Sequence, residues 1–210
     1  MKKRIIPFAV SVAAAGLLLG GCNLFGGNGD NTQGTTAAAG DPTQSSTENS
    51  GDVVEKDGVR KKVVYTNDSP GLSSGTGSML YSIDSVQLAD VITTTDNASR
   101  LLDLEKNTDA VMVTIAFSCE NTGTYDNNVY ISQAEIETDA GDKATPRSFY
   151  GDYMDGHFGP EESKKGSNIY IIKGKSSADI KSLKFHIDAP ADSDFQDCGE
   201  PVDFLIKTEQ

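Results

Sequence analysis

Residues 109–120 read Asp-Ala-Val-Met-Val-Thr-Ile-Ala-Phe-Ser-Cys-Glu and form the clearest strand signal in the chain. Large apolar side chains occupy every second position from Val111 to Cys119, and the intervening positions carry Met, Thr, Ala and Ser. Because successive side chains of a strand point to opposite faces, this alternation predicts a strand with Cys119 on its inward face. The turn signal Asn121-Thr122-Gly123 ends the strand.

The same period of two recurs on both sides of this stretch. From Met79 the apolar positions are odd-numbered up to Ile83 and even-numbered from Val86, and this switch at Asp84-Ser85 predicts a β-bulge. Residues 139–142 resemble a hairpin turn, with Gly141 free to adopt positive φ. Other segments predict further strands at 130–138, 168–173, 183–187 and 202–206, and a short helix at 97–105.

Many short strands without alternating helices are typical of an all-β chain. We therefore predict an immunoglobulin-like antiparallel β-sandwich over residues 76–210, preceded by a disordered tether. The chain of 210 residues contains no Trp, so the buried Trp of antibody domains is missing.

The amino end has the three parts of a lipoprotein signal peptide. Lys2, Lys3 and Arg4 precede an apolar run from Ile5 to Leu19, which is shorter than a membrane span. The following Leu19-Gly20-Gly21-Cys22 resembles the bacterial lipobox, in which the cysteine thiolate takes a diacylglycerol. We expect cleavage of residues 1–21 and anchoring through Cys22 to the extracytoplasmic side of a bacterial cell membrane.

Residues 22–75 are predicted to form the lipid anchor and a flexible linker. Residues 23–51 are rich in Gly, Ser, Thr and Asn and have almost no large apolar side chain, which indicates disorder. Residues 59–65 could form a strand, although Arg60, Lys61 and Lys62 disturb the alternation.

The charge excludes some partners. The chain has 31 acidic and 18 basic residues, a net charge of −13, and removal of residues 1–21 lowers it to −16. Such a body is repelled by nucleic acids and by anionic lipid headgroups, which argues against both as partners, and the membrane is expected to be reached through lipidated Cys22.

Several of these segments together resemble a known domain type. They are residues 111–123, Ala134-Glu135-Ile136-Glu137-Thr138-Asp139-Ala140-Gly141, Gly159-Pro160-Glu161-Glu162, residues 169–172 and residues 183–187. This pattern over residues 79–188 is similar to the telokin-like, immunoglobulin-like domain of bacterial lipoproteins related to a mycobacterial immunoprotective antigen. The resemblance implies the fold and a cell-surface location, and it implies no catalytic residue.

Three groups of polar residues are candidate sites. The nucleophile-elbow pattern of serine hydrolases is matched by Gly71-Leu72-Ser73-Ser74-Gly75. The flanking strand and helix that this elbow needs are not indicated, so we predict that the stretch belongs to the linker. Asp152, Asp155 and His157 could bind a divalent cation, yet the calcium-loop spacing is absent. We therefore predict an ordinary loop without metal or cofactor. His186 is expected on the outward face of its strand.

The loop of residues 148–159 is also rich in aromatic side chains: Phe149, Tyr150, Tyr153 and Phe158. They could line a carbohydrate or peptide site. The favoured interpretation is a lid over one end of the core.

Cys119 and Cys198 are the two thiols that remain once Cys22 is lipidated. A disulfide between them would join the last strand to a central one. The alternative is two separate thiols, one buried and one in a surface loop.

The sequence offers no pair of nucleophile and general base that would indicate an enzyme. The preferred function is a non-catalytic module that binds another envelope protein, an envelope polymer or a small ligand. The alternative is an accessory lipoprotein that stabilises another envelope complex without ligand specificity of its own.

Overall fold

The computed structural model describes residues 51–147, 151–152 and 154–208. The predicted signal peptide, the lipidation site Cys22 and the tether up to residue 50 lie outside these residues. No helix in the described part of the chain is long and apolar enough to cross a bilayer.

The larger of two main sheets has the strand order β1-β2-β4-β5-β10, and β3 also pairs with β4. Its strands are β1 (Val53–Lys56), β2 (Val59–Asn67), β3 (Leu72–Thr76), β4 (Met79–Thr93), β5 (Ala110–Asn121) and β10 (Ser163–Lys173). The long strand β4 is the central strand of this sheet. On one edge it pairs with β5, and on the other edge β3 and β2 lie end to end along it.

The folded domain therefore begins near Val53, not at residue 76 as the sequence indicated. Residues 53–76, most of which were assigned to the linker, form three strands, and the strand suspected at residues 59–65 is part of β2. All four residues of β1 are exposed, and Val63 is the one buried residue of β2. Strand β1 pairs with β2, and β2 and β3 pair with β4, so backbone hydrogen bonds hold these strands although they carry little hydrophobic alternation.

The predicted bulge in β4 is confirmed. The β4–β5 register shifts between Ile83 and Ser85, at the point where the apolar positions change from odd to even numbers. The extra residue keeps Ile83 and Val86 buried in the same core.

The smaller sheet has the strand order β12-β11-β7-β8. Its strands are β7 (Glu135–Thr138), β8 (Lys143–Ala144), β11 (Ser182–Ile187) and β12 (Val202–Lys207), and a separate pair joins β6 (Asn127–Val129) to β9 (Gly156–Phe158). Of the strand predicted over residues 130–138, Glu135–Thr138 forms β7, whereas Ile131–Gln133 forms a 3-10 turn before it. The predicted hairpin turn joins β7 to β8, and Gly141 has a φ of +85° there.

Aromatic side chains fill the space between the two sheets. Phe185 of β11 lies at the centre, with its ring centroid 6.2 Å from Phe117, 6.5 Å from Tyr170 and 6.5 Å from Phe204. All paired strands are antiparallel, so the predicted antiparallel β-sandwich is confirmed.

A second, smaller core lies on the outer face of the large sheet. Helix α1 (Asp96–Leu102) begins at Thr95, whose side chain accepts a hydrogen bond from the Ala98 backbone N–H, as N-cap residues do. The core consists of Val63, Ala89, Val91, Leu102, Leu104, Ala110, Met112 and Ile171. The predicted helix is thus confirmed, although it ends at Leu102 and not at Glu105. Next to it, β5 is buried on both faces from Ala110 to Val113.

Candidate functional site

The structure contains both remaining cysteines as free thiols and not as the bridge that the sequence suggested. Cys119 is completely buried, and this burial raises the pKa of its thiol to about 12. Cys198 is half-buried, and its Sγ lies 3.0 Å from Asn127 Oδ1 and 3.3 Å from the Pro190 carbonyl oxygen. The Cys198 thiol thus donates to two neighbouring oxygen atoms. This arrangement corresponds to the alternative of two separate thiols, one buried and one in a surface loop.

The acidic residues of the 151–159 loop hold the loop in place. Asp155 accepts a 2.7 Å hydrogen bond from the Ser132 backbone N–H, and Asp152 accepts one from the Ser167 hydroxyl. His157 Nε2 lies 3.1 Å from Asp126 Oδ2. Within the described residues, no group of three or more His, Cys, Asp or Glu side chains is arranged to hold a metal ion.

Of the four aromatic residues assigned to this loop, Phe158 is described. It lies on β9 and is completely buried in the main core, as the lid interpretation requires. Phe149, Tyr150 and Tyr153 lie outside the described residues.

The other two candidates lie on strands. Ser73 is part of β3, and the next element after Gly75 is strand β4. The pattern is therefore neither a nucleophile elbow nor a linker. His186 points outward from the small sheet, with Nδ1 2.6 Å from Asp203 Oδ1 and Nε2 3.4 Å from Asp188 Oδ1.

One end of the sandwich gathers three connections that are far apart in sequence. We call this end the loop end and define it as residues 76–78, 122–126 and 188–200. Ser78 Oγ accepts a 2.7 Å hydrogen bond from the Asn127 side chain, and Thr76 Oγ1 accepts one of 2.6 Å from the Glu200 backbone N–H. A bridge between Asn128 and Ala191 adds the third link. The three connections therefore form one surface.

Asn121 organises the centre of the loop end. Its side-chain amide donates to three carbonyl oxygens, those of Tyr125 (2.8 Å), Gly159 (3.0 Å) and Phe158 (3.2 Å). Its Oδ1 accepts from the Gly123 backbone N–H at 3.0 Å. Because Asn121 is completely buried, it fixes the backbone on both sides of Tyr125.

Two aromatic side chains of the loop end project into solvent. Tyr125 is 83% exposed and Phe195 is 68% exposed. Phe195 has a φ of +59°, a conformation that is uncommon for a residue with a side chain. Asp192 Oδ1 holds the turn by accepting from the backbone N–H groups of Asp194 and Gln196, both at 2.9 Å. The ring is thus presented by a closed, hydrogen-bonded turn.

The segment that presents Phe195 is strongly acidic. Residues 188–203 contain no Lys or Arg, and they carry six carboxylates: Asp188, Asp192, Asp194, Asp197, Glu200 and Asp203. Sequence reasoning missed this surface. A single aromatic residue within the acidic segment 188–200 was the available signal, but only the fold places that segment at the same end of the sandwich as residues 122–126.

Comparison with solved structures supports the architecture. The fold is shared with a Listeria protein. A functionally unknown protein from Listeria monocytogenes EGD-e matches with a TM-score of 0.53 and 12% sequence identity, over 71% of this chain and 88% of that one.

Two Bacillus subtilis proteins match at lower TM-scores. A candidate lipoprotein (ycdA) gives 0.45 at 14% identity and covers 66% of this chain, which spans 39% of the ycdA chain. The yjhA protein gives 0.42 at 13% identity, over 66% of this chain and 97% of its own. No protein-family model and no curated protein matches the sequence.

Proposed function

We propose that this protein is a lipoprotein anchored through Cys22 to the extracytoplasmic face of a bacterial membrane, and that its β-sandwich is a non-catalytic binding module. The observation that carries the binding role is the exposure of Tyr125 and Phe195 on one hydrogen-bonded surface. Exposed aromatic rings on a rigid loop surface are the residues that dominate the binding energy of many protein interfaces.

The charge of the loop end favours a basic partner. Five carboxylates in residues 188–200 attract Lys and Arg side chains, and the rings of Tyr125 and Phe195 can accept cation–π contacts from the same groups. The proposed partner is therefore a basic segment of another envelope protein. The family assignment to the telokin-like domains belongs to this proposal too, since it rests on the sequence resemblance.

The membrane anchor is tested separately from the binding surface. Replacement of Cys22 by Ala removes the thiol that would carry the lipid, so the variant should leave the membrane fraction or accumulate unprocessed. Replacement of the buried Cys119 by Ala is the matched control and should leave fractionation unchanged. A Cys22→Ala protein that still partitions into detergent like the unmodified chain would contradict the anchor.

The binding surface is tested by site-specific photocrosslinking in cells. A photoreactive phenylalanine analogue is placed at position 125 or 195 of the full-length protein, and at the exposed Leu205 on the outer face of β12 as the control. Positions 125 and 195 should both crosslink to the same basic protein, and position 205 should not. Equal adducts from all three positions, or none from the loop end, would contradict this role.

The same experiment separates the alternative of an accessory lipoprotein. Such a protein would be held in a fixed complex by broad contacts, so the control position 205 would crosslink to the same partner. Charge reversal of the loop end by Asp192→Lys and Asp197→Lys would then leave that complex intact, whereas it should abolish the adducts if the loop end is the binding surface.

A further inference from the structure

A groove lies at the other end of the large sheet, away from the loop end. It has a volume of about 620 Å3, within the range of small-ligand sites. Asp90 and Ile92 line it and continue the inner face of β4 beyond Val86 and Leu88, which belong to the main core. The groove is therefore a part of the inner face that the smaller sheet does not cover.

The floor of the groove is apolar, and its rim carries charges of both signs. Ile92 and the 60% exposed Val53 supply apolar surface. Arg60, Lys62, Lys175, Asp90 and Asp109 supply the charges. An uncharged apolar ligand would leave these charges unused, so the groove suits a ligand that is apolar in the middle and charged at its ends.

Three of the five charged groups already have partners within the protein. Arg60 lies 3.1 Å from Glu55, Lys175 lies 3.1 Å from Asp142, and Asp90 accepts a 2.7 Å hydrogen bond from the Ser177 backbone N–H. Such partners reduce what these groups can offer a ligand.

Lys62 and Asp109 are the two remaining charges. Within the described residues, neither side chain has an ion-pair or hydrogen-bond partner, and both are exposed on the rim. One cation and one anion are thus left to interact with a ligand.

The strand register gives the separation of these two residues. Lys62 on β2 pairs with Asp90 on β4, and Asp90 pairs with Val111 on β5, two residues beyond Asp109. Two strand spacings and two residues along the strand place the Cα atoms of Lys62 and Asp109 about 12 Å apart. An extended tripeptide spans about 10 Å between its ends.

From this arrangement we propose that the groove binds a short, extended peptide with free ends and small aliphatic side chains. The terminal carboxylate pairs with the Lys62 ammonium, the terminal ammonium pairs with the Asp109 carboxylate, and the aliphatic side chains lie on Val53 and Ile92. The proposal is independent of the loop end, so either of the two can fail alone.

The test uses the full-length protein in detergent and isothermal titration with four probes: trialanine, its N-acetyl form, its C-terminal amide, and the doubly blocked form. Trialanine should bind saturably at millimolar concentration or below, and the doubly blocked form should bind at least about tenfold more weakly, since each end loses a charge-assisted hydrogen bond. Absence of saturable trialanine binding, or equal binding of all four probes, would overturn the proposal.

Matched variants assign each end. Lys62→Gln should weaken trialanine about tenfold and leave the C-terminal amide unaffected, whereas Asp109→Asn should weaken trialanine and leave the N-acetyl form unaffected. Lys56→Gln, on the exposed strand β1 and outside the groove, is the control and should bind trialanine like the unmodified protein. A Lys62→Gln protein that retains its thermal transition and binds trialanine normally would overturn the assignment.

Discussion

Cys198 Sγ lies 3.0 Å from Asn127 Oδ1, and this contact joins the segment before β12 to the first residue of β6. Cys119, by contrast, lies on β5 directly opposite Tyr81 of β4, and both side chains are completely buried. The two thiols therefore occupy different environments, one at the surface and one in the core.

Thiol reactivity should follow this difference. In the full-length Cys22→Ser protein without reductant, one thiol per chain should react in the folded state, because Cys119 is buried and its pKa is raised to about 12. Unfolding should expose the second. A chromogenic thiol titration in buffer and in denaturant measures both, and a value of zero in denaturant would show that the cysteines are bridged.

Replacement of Phe185 by Ala should be among the most destabilising changes in the protein. The ring contacts three other aromatic rings between the sheets, so its loss should lower the free energy of unfolding by about 3–5 kcal/mol. Chemical denaturation measures the change. Leu205→Ala on the neighbouring strand is the control, since Leu205 is 61% exposed, and it should change stability by about 0.5 kcal/mol or less.

Asn121→Asp should loosen the loop end. The substitution keeps the shape of the side chain but removes the amide that donates to Tyr125, Phe158 and Gly159, and it brings a carboxylate close to their carbonyl oxygens. We expect a loss of at least about 2 kcal/mol in unfolding free energy and faster amide hydrogen exchange in residues 122–126. Asn107→Asp, at an exposed position, is the control. Equal effects of the two substitutions would contradict the role of Asn121.

Two glycines separate backbone strain from close packing. Gly77 and Gly141 both have positive φ, +54° and +85°, so alanine is strained at either position. A Cβ on Gly77 would also lie 2.3 Å from the Cys198 carbonyl oxygen, whereas a Cβ on Gly141 has open space around it. Gly77→Ala should therefore lower the melting temperature clearly more than Gly141→Ala, and a smaller effect at Gly77 would contradict the close approach.

Alkaline pH should destabilise the fold in a defined window. Burial raises the pKa of Cys119 from its ordinary 9.0 to about 12, so the folded chain keeps a proton that the unfolded chain loses. The thiol has no effect on stability below pH 9, and between pH 9 and 12 the unfolding free energy should fall by up to about 1.4 kcal/mol per pH unit. Burial also raises the pKa values of Tyr81 and Tyr170, which adds to the loss above pH 10.

Denaturation curves at several pH values measure this slope. Cys119→Ala removes the titrating thiol and should make the slope between pH 9 and 10 shallower. An unchanged slope in that interval would mean that the Cys119 thiol ionises as readily in the folded chain as in the unfolded one.

The strands with one buried face could be predicted from the sequence. Strand β5 and the bulge near Asp84 follow directly from the positions of apolar side chains. A strand with one face on a core has apolar residues at every second position, and a bulge shifts these positions by one residue. The start of the domain could not be predicted in this way. Strand β3 reads Leu-Ser-Ser-Gly-Thr and is held by its pairing with β4, which leaves no mark on its own composition.

The candidate surface was also beyond the sequence. Tyr125 and Phe195 are 70 positions apart, and what joins them is a set of hydrogen bonds made by Asn121, Asn127 and Asn128 to backbone carbonyls and loop residues. The residue type alone does not tell whether an asparagine side chain is exposed or makes such hydrogen bonds. The side chains that organise the loop end are therefore visible once the backbone is known.

The position of β1 determines how the domain would respond to mechanical tension. If Cys22 holds the amino end in a membrane and a partner holds the loop end, a pulling force enters the fold at the four-residue strand β1, which pairs with β2 alone among the described strands. That pair is a hairpin closed at Asp57-Gly58, so its hydrogen bonds break one after another from the open end. The long ladder between β4 and β5 and the Phe185 core lie behind it. The β1–β2 hairpin would thus extend first, as a short elastic segment that yields before the binding surface loses its shape.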